Sequence, residues 1–200
     1  MLLHAFVPAS RANGPGLRAV VFFQGCLLHC PGCWNPTTHR FRGPDVQVSE
    51  IAGRILAARR QEAIEGVTFS GGEPMHQADA LVELMARLRT DCVRLSFGMF
   101  SGHTEGELAI GDYFVRGIAN RRRKAGLWRE VQALLDFAVL GRYDRALPTR
   151  VPLRSSRNQR LVLLSDRYTE TDFAPQSIEV SIGADGAAVV TGFPVMGMPA

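Results

Sequence analysis

The sequence predicts an α/β fold: a parallel sheet wound as an open, partial (βα) barrel and finished by a C-terminal β-hairpin. Three observations carry that expectation. Short apolar runs without alternation recur along the chain, the pattern of strands buried on both faces. Helical periodicity fills the intervals between them, as right-handed βα units require. The chain has 200 residues, which is one domain with a single core and short of the roughly 250 of a closed eight-fold barrel.

The first strand run is Ala19 to Phe23, entered through the turn Gly14-Pro-Gly16. Ser49 is placed to cap a helix running to about Ile64, with Ile51, Ile55 and Leu56 turned inward. Val67 to Phe69 is the second strand run. A helix over about Gln77 to Arg89 puts Leu81, Leu84, Met85 and Leu88 on one face, and Val93 to Phe100 follows as the third strand. Residues 111–126 show no clear period and carry Arg121, Arg122, Arg123 and Lys124, so an exposed insertion is expected there. A helix over about Leu127 to Leu135 leads to strands Phe137 to Leu140 and Leu161 to Leu164. Ile178 to Ile182 and Ala187 to Thr191 flank Gly-Ala-Asp-Gly, which reads as a hairpin over about 178–191. No linker, repeat or low-complexity tract divides the chain, so residues 1–200 read as one domain.

Composition narrows the class. Apolar residues make up 46% and charged residues 21%, the balance of an ordinary globular protein. No stretch of about 18 apolar residues predicts a membrane span, and the N-terminus lacks the features of a secretory signal; the cytoplasm is the expected location. Net charge is +4. Of the 23 basic residues only Lys124 is lysine, and 12 fall between Arg116 and Arg160 beside three acids, Glu130, Asp136 and Asp144. That basic face attracts polyanions in principle; a solvated face is the reading preferred here over a nucleic-acid site.

Three of the four cysteines crowd into Gly25-Cys26-Leu-Leu-His-Cys30-Pro-Gly-Cys33-Trp34-Asn35, directly after the first strand run. A loop at the C-terminal end of a parallel strand is where such folds place chemistry. Clustered cysteines without a secretory signal point to metal rather than disulfides. Three thiolates ligate three irons of a cubane and leave the fourth open to a substrate. A zinc site completed by His29, His39 or Cys92 is the alternative, although structural zinc sites usually show a second ligand pair. His29 otherwise reads as a surface loop residue and Cys92 as a buried small hydrophobe. About 40 residues on, Val67-Thr-Phe-Ser-Gly71-Gly72-Glu73-Pro74 ends the second strand. Its glycines let the backbone approach a ligand closely, and its carbonyls and the Glu73 carboxylate accept hydrogen bonds from an ammonium. Taken alone, the string is equally a strand-to-helix turn.

Together these motifs resemble the radical S-adenosylmethionine superfamily. The longer run from Gly14-Pro-Gly-Leu-Arg18 through Phe22-Phe-Gln-Gly-Cys26 to Cys33-Trp34-Asn35 is similar to the glycyl-radical-enzyme activases, above all the group acting on anaerobic ribonucleotide reductase. Phe97-Gly-Met-Phe-Ser101-Gly102-His103-Thr104, Asp136 to Tyr143 and Arg154 to Arg160 resemble further segments of that group. His103 stands where an aromatic is usual, Leu140 where an aspartate is, and Ser155 where a glycine is. The resemblance covers about residues 10–165, apart from 111–126. It implies a partial barrel of the radical S-adenosylmethionine type, with a [4Fe–4S] cluster on Cys26, Cys30 and Cys33. It further implies that S-adenosylmethionine is held by Trp34, Asn35, Gly71, Gly72, Glu73, Pro74 and Ser101, with Ser101 or His103 otherwise shaping a turn. No general acid or base is implied. With only Cys92 left over, there is no second cluster.

The implied activity is reductive cleavage of S-adenosylmethionine to a 5′-deoxyadenosyl radical, which takes hydrogen from a glycine of a partner glycyl radical enzyme. A donor such as flavodoxin or ferredoxin supplies the electron, and the Gly14 to Gly16 turn is expected near the incoming glycyl loop, with one barrel side open to receive it. An enzyme acting on a peptide or small molecule is the alternative. The 7-carboxy-7-deazaguanine synthases share a string like Gly71 to Gln77 but follow the third cysteine with Asp-Thr, not Trp34-Asn35. A non-catalytic metal- or polyanion-binding domain is a further alternative.

Overall fold

The computed structural model describes residues 1–92, 94–182, 186 and 188–193. A six-stranded sheet runs in the order β1 (Leu3–Ser10), β2 (Arg18–Phe23), β3 (Gly66–Gly71), β4 (Ser96–Ser101), β5 (Phe137–Leu140) and β6 (Arg160–Leu163). β2 to β5 are mutually parallel, while β1 and β6 flank them antiparallel as the two edges of an open ladder. The helices are α1 (Val48–Glu62), α2 (Ala78–Asp91), α3 (Glu105–Ile110) and α4 (Arg121–Gln132). β7 (Ile178–Ile182) and β8 (Ala188–Gly192) form the separate antiparallel hairpin. Among the described residues no helix is long and apolar enough to cross a membrane.

Alternation sorts the sheet's side chains into two layers. Ala19, Val21, Phe23, Val67, Phe69, Phe97, Met99, Ala138 and Leu140 meet Ile51, Ile55, Leu81, Leu84, Leu88, Leu127 and Val131 from the helices in the main core. On the opposite layer Phe137 and Val139 pack with Leu153, Phe173 and Phe193, with Phe100, Leu161, Trp34 and Tyr168 around them. Over β5 this face is covered by the chain's own later residues.

Several expectations are corrected. Gln47, not Ser49, precedes the first turn of α1, because buried Val48 is drawn into the helix; Leu56 is only half-buried while Ile51 and Ile55 are fully so. Gln77 ends a 3₁₀ turn ahead of α2. α4 begins at Arg121, where the Asn120 side chain accepts from Arg123 N at 3.0 Å. Residues 111–126 are thus no wholly exposed insertion, since Tyr113 and Val115 are buried in the core and 121–126 are helical. α3 and β1 were not expected; α3 starts on a capping box between Thr104 and Glu107. β6 runs antiparallel rather than parallel. The third strand begins at Ser96; Val93, where it was expected to start, lies outside the described residues, as do Ala187 and the hairpin turn 183–185. Cys92 is half-buried and ends α2.

At the N-terminal end of the sheet, Arg18 is fully buried. All five of its N–H donors are used: Nε to Thr68 Oγ1 (2.8 Å), Nη1 to Pro15 O (3.0 Å) and Ser96 Oγ (2.7 Å), and Nη2 to Val67 O (3.0 Å) and Ser96 O (3.3 Å). The Gly14–Gly16 turn lies at this end, where Leu17 N donates to Glu65 Oε1 just ahead of β3. The six residues of β2 separate it from the cysteine loop by about 20 Å at roughly 3.3 Å per residue.

Candidate functional site

The cysteine loop leaves the C-terminal end of β2. Cys33 N donates to Cys30 O at 3.0 Å across Pro31-Gly32, with Gly32 at φ +73°; this is a type II turn with proline and glycine where that turn needs them. Gln24 fastens the loop's return, its Nε2 donating to Thr37 O (3.1 Å) and Arg40 O (2.6 Å). Cys26 is buried and Cys30 and Cys33 are half-buried; all are free thiols. Burial pushes the Cys26 thiol up to about 12, helped by the nearby Glu73 carboxylate, and burial also raises Cys33. Asn35 N approaches Cys33 Sγ at 3.4 Å. His29 is exposed, its Nδ1 3.2 Å from His39 Nδ1.

The second motif is laced directly to this loop. Gly72 N donates to Phe23 O (2.8 Å) and Glu73 N to Gly25 O (3.0 Å). Gly71 sits at φ +102°, and a Cβ there would lie 2.5 Å from Phe23 N; a Cβ on Gly72 would lie 2.5 Å from Gly25 O. Only glycine permits this approach of two backbones.

Glu73 is 1% exposed and held by three donors. Oε1 accepts from Met75 N (3.0 Å) and Ser101 Oγ (2.9 Å), and Oε2 from Gly102 N (2.7 Å). The expected ammonium acceptor thus also ties the end of β3 to the end of β4. Pro74 is buried beside it. Trp34 is half-buried against Tyr143 (5.5 Å between ring centroids) and Phe193 (6.2 Å), while Asn35 is exposed.

Further residues complete the frame, of which His76 and Glu107 were not singled out from the sequence. Gln77 donates to Leu2 O and Gln24 O and accepts from Leu2 N, tying the second motif to both β1 and the cysteine loop. His76 and His103 are buried, their Nε2 atoms 3.3 Å apart. Burial lowers His76 to about 4, Glu73 opposing and His103 adding, so the His76 ring is neutral where it meets His103 between the β3 and β4 ends. The Thr104-x-x-Glu107 spacing was the missed signal for α3; its Glu107 is lowered to about 2, chiefly by the Arg142 hydrogen bond.

These residues fit an iron–sulfur cubane. Three unoxidised thiols share one loop beside a backbone cradle that excludes any Cβ. Among the described residues, no three of His, Cys, Asp and Glu converge as they must around a single ion; a cubane presents a separate iron to each thiolate and asks for no such convergence.

Residues 12–162 match the family model of the 4Fe-4S single cluster domain. The chain belongs to this family. It is similar to the anaerobic ribonucleoside-triphosphate reductase-activating protein of Vibrio cholerae, 33% identical over 112 residues that cover 54% of this chain and 72% of that protein. The protein of the same name from Escherichia coli (strain K12) is 30% identical over 124 residues, 60% of this chain and 80% of its own. The pyruvate formate-lyase-activating enzyme of Staphylococcus epidermidis is 34% identical over 116 residues, 56% of this chain and 46% of its own. This family member is therefore a radical S-adenosylmethionine enzyme of the activase type, with a [4Fe–4S] cluster and S-adenosylmethionine as its cofactors.

Proposed function

We propose that this chain activates a glycyl radical enzyme, on a single domain wound as a partial (βα) barrel and working in the cytoplasm. The observation that carries the reading is the lacing of the cysteine loop to Gly71-Gly72-Glu73 through Phe23 O and Gly25 O, which sets three thiols and a Cβ-free cradle at one end of the sheet. Cys26, Cys30 and Cys33 are the cluster ligands. Gly71 and Gly72 expose backbone to the amino acid part of S-adenosylmethionine. Glu73, with three of its roughly four lone-pair directions filled, keeps one on Oε2 for the ammonium and positions Ser101 and Gly102. Trp34, Asn35 and Pro74 wall the site, and the aromatic packing of Trp34 keeps water from it. With both cofactors bound, the chemistry supplied is a one-electron cleavage to a 5′-deoxyadenosyl radical, which takes hydrogen from a glycine Cα of the partner. The relatives' names, which include a reductase and a lyase as the enzymes activated, support a protein substrate.

The test is anaerobic reconstitution followed by reduction with S-adenosylmethionine and a glycyl radical enzyme from the same genome. About four irons per chain are expected, absent from the triple alanine variant of the three cysteines. Production of 5′-deoxyadenosine and a doublet glycyl signal in electron paramagnetic resonance should accompany them. One tetrahedral zinc with no iron uptake would overturn the cluster. Turnover of a small molecule with no glycyl radical would overturn the partner.

A further inference from the structure

We propose that the arginine-rich connection from β5 to β6, residues 141–160, is the docking surface for an acidic redox protein that delivers the electron to the cysteine loop. The proposal rests on the activase reading above and adds the place and chemistry of the partner.

Charge comes first. The connection carries Arg142, Arg145, Arg150, Arg154, Arg157 and Arg160 against one acid, Asp144. Asp144 is exposed and partly engaged by the connection itself, its Oδ1 accepting from Ala146 N at 2.8 Å. Arg54, Arg121 and Arg123 on the helices each meet a carboxylate at 2.6 Å. In the connection only Arg142 does so among the described residues, pairing with Glu107 at 2.8 Å. Arg145, Arg150, Arg157 and Arg160 are exposed and leave their charge to the solvent side. Self-repulsion among unmatched guanidinium groups costs stability, and a bidentate carboxylate partner relieves it.

The surface is also preformed. Asp144 N donates to Ser156 Oγ (3.0 Å), Arg157 N to Leu147 O (2.7 Å) and Gln159 Nε2 to Gly141 O (2.9 Å). Gln159 Oε1 accepts from both Ser155 N and Ser156 N. Leu153 and Ser156 are buried as anchors. A connection fixed in this way presents its charges with little ordering cost on binding.

Position then selects the partner. The Arg145 stem lies against Gly32, where a Cβ would come within 2.8 Å of Arg145 Cδ. Tyr143 packs on Trp34, next to Cys33. The basic surface therefore borders the loop whose cluster must be reduced. Electrostatic steering of a negatively charged protein to this border raises its encounter rate without new apolar contact. In the transfer, one electron leaves the donor's reduced flavin or iron–sulfur group, which is oxidised by one electron. The cluster is reduced by one electron, and no bond in this chain forms or breaks.

The test uses the full-length reconstituted chain, the double variant Arg150→Glu/Arg157→Glu and the charge-keeping variant Arg150→Lys/Arg157→Lys. The probes are reduced flavodoxin, a small acidic flavoprotein, and dithionite, a reductant that needs no docking surface. Flavodoxin affinity by calorimetry should fall about tenfold in the glutamate variant at low salt and converge with that of the unsubstituted chain at high salt. The lysine variant should recover most of it. Formation of 5′-deoxyadenosine should drop alike with flavodoxin and stay level with dithionite. Unchanged flavodoxin affinity, or an equal loss with both reductants, overturns the docking surface. So does selective loss of binding to mixed-sequence DNA, which would reassign the patch to polyanions. Failure of the unsubstituted chain to cleave S-adenosylmethionine with dithionite sinks the activase reading instead, while the affinity measurement still decides the surface.

Discussion

Glu73 satisfies three buried donors from inside the protein, Met75 N, Ser101 Oγ and Gly102 N. Hydrogen bonds to a charged group contribute about 1.5–3 kcal/mol each, and an orphaned buried donor adds a desolvation cost. Glu73→Ala should therefore lower folding stability by about 3 kcal/mol or more in urea titration. S-adenosylmethionine affinity should fall about tenfold to a hundredfold while iron content survives, because the thiols are held by the cysteine loop's own hydrogen bonds. Unchanged stability and affinity would show that the carboxylate is dispensable. The sequence marked Glu73 for its acceptor chemistry. It did not show the structural half of its role, because Ser101 and Gly102 lie 28 and 29 positions away and meet it only once β3 and β4 are paired.

At the scale of elements, glycines separate close approach from idle flexibility. Gly71 ends β3 at φ +102° against the backbone of Phe23, so Gly71→Ala combines strain with a clash against atoms that cannot move aside. A loss of about 2 kcal/mol or more is expected. Gly53 lies within α1 with nothing inside 4 Å of a Cβ, and Gly53→Ala should gain about 0.5–1 kcal/mol. Thermal unfolding of the two variants side by side checks both signs; stabilisation by Gly71→Ala would refute the close packing of the two motifs. The central elements were legible because each carries a local signal, an unbroken apolar run for a strand and a period of 3.6 for a helix. β5 matches the expected run residue for residue, and Leu81, Leu84, Met85 and Leu88 are the buried face of α2. α3, at six residues, is too short for a period to register, and β1 is only partly buried along its length, which weakens its apolar signal.

Across the whole molecule, Arg18 joins three strands. It donates to Thr68 and Val67 on β3, to Ser96 on β4 and to Pro15 O in the turn before β2, and its guanidinium lies 5.1 Å from the Phe137 ring centroid at the start of β5. Burial lowers its pKa, with Tyr168 and the charge of Asp136 opposing, and the guanidinium's hydrogen bonds go to carbonyl and hydroxyl acceptors. Arg18→Met preserves volume but strands those acceptors, so a loss of about 3 kcal/mol or more is expected in urea titration. Arg18→Lys should also lose stability, because three donors cannot replace five. A neutral effect of Arg18→Met would mean that these acceptors find other partners.

By itself the sequence determined the βα alternation, the three clustered cysteines with their following strand-end glycines, and the class of chemistry they serve. Those signals are local: an unbroken apolar run, a period of 3.6 residues, or a ligand spacing within one loop is complete before the chain folds. Tertiary structure alone decided that β6 returns antiparallel and that the Gly14–Gly16 turn lies at the far end of β2 from Cys26. It also decided that Phe173 and Phe193 cover the sheet face over β5, and that the arginines of 141–160 border the cysteine loop. Each of these depends on contacts between residues tens of positions apart, whose geometry is fixed only when the sheet order is.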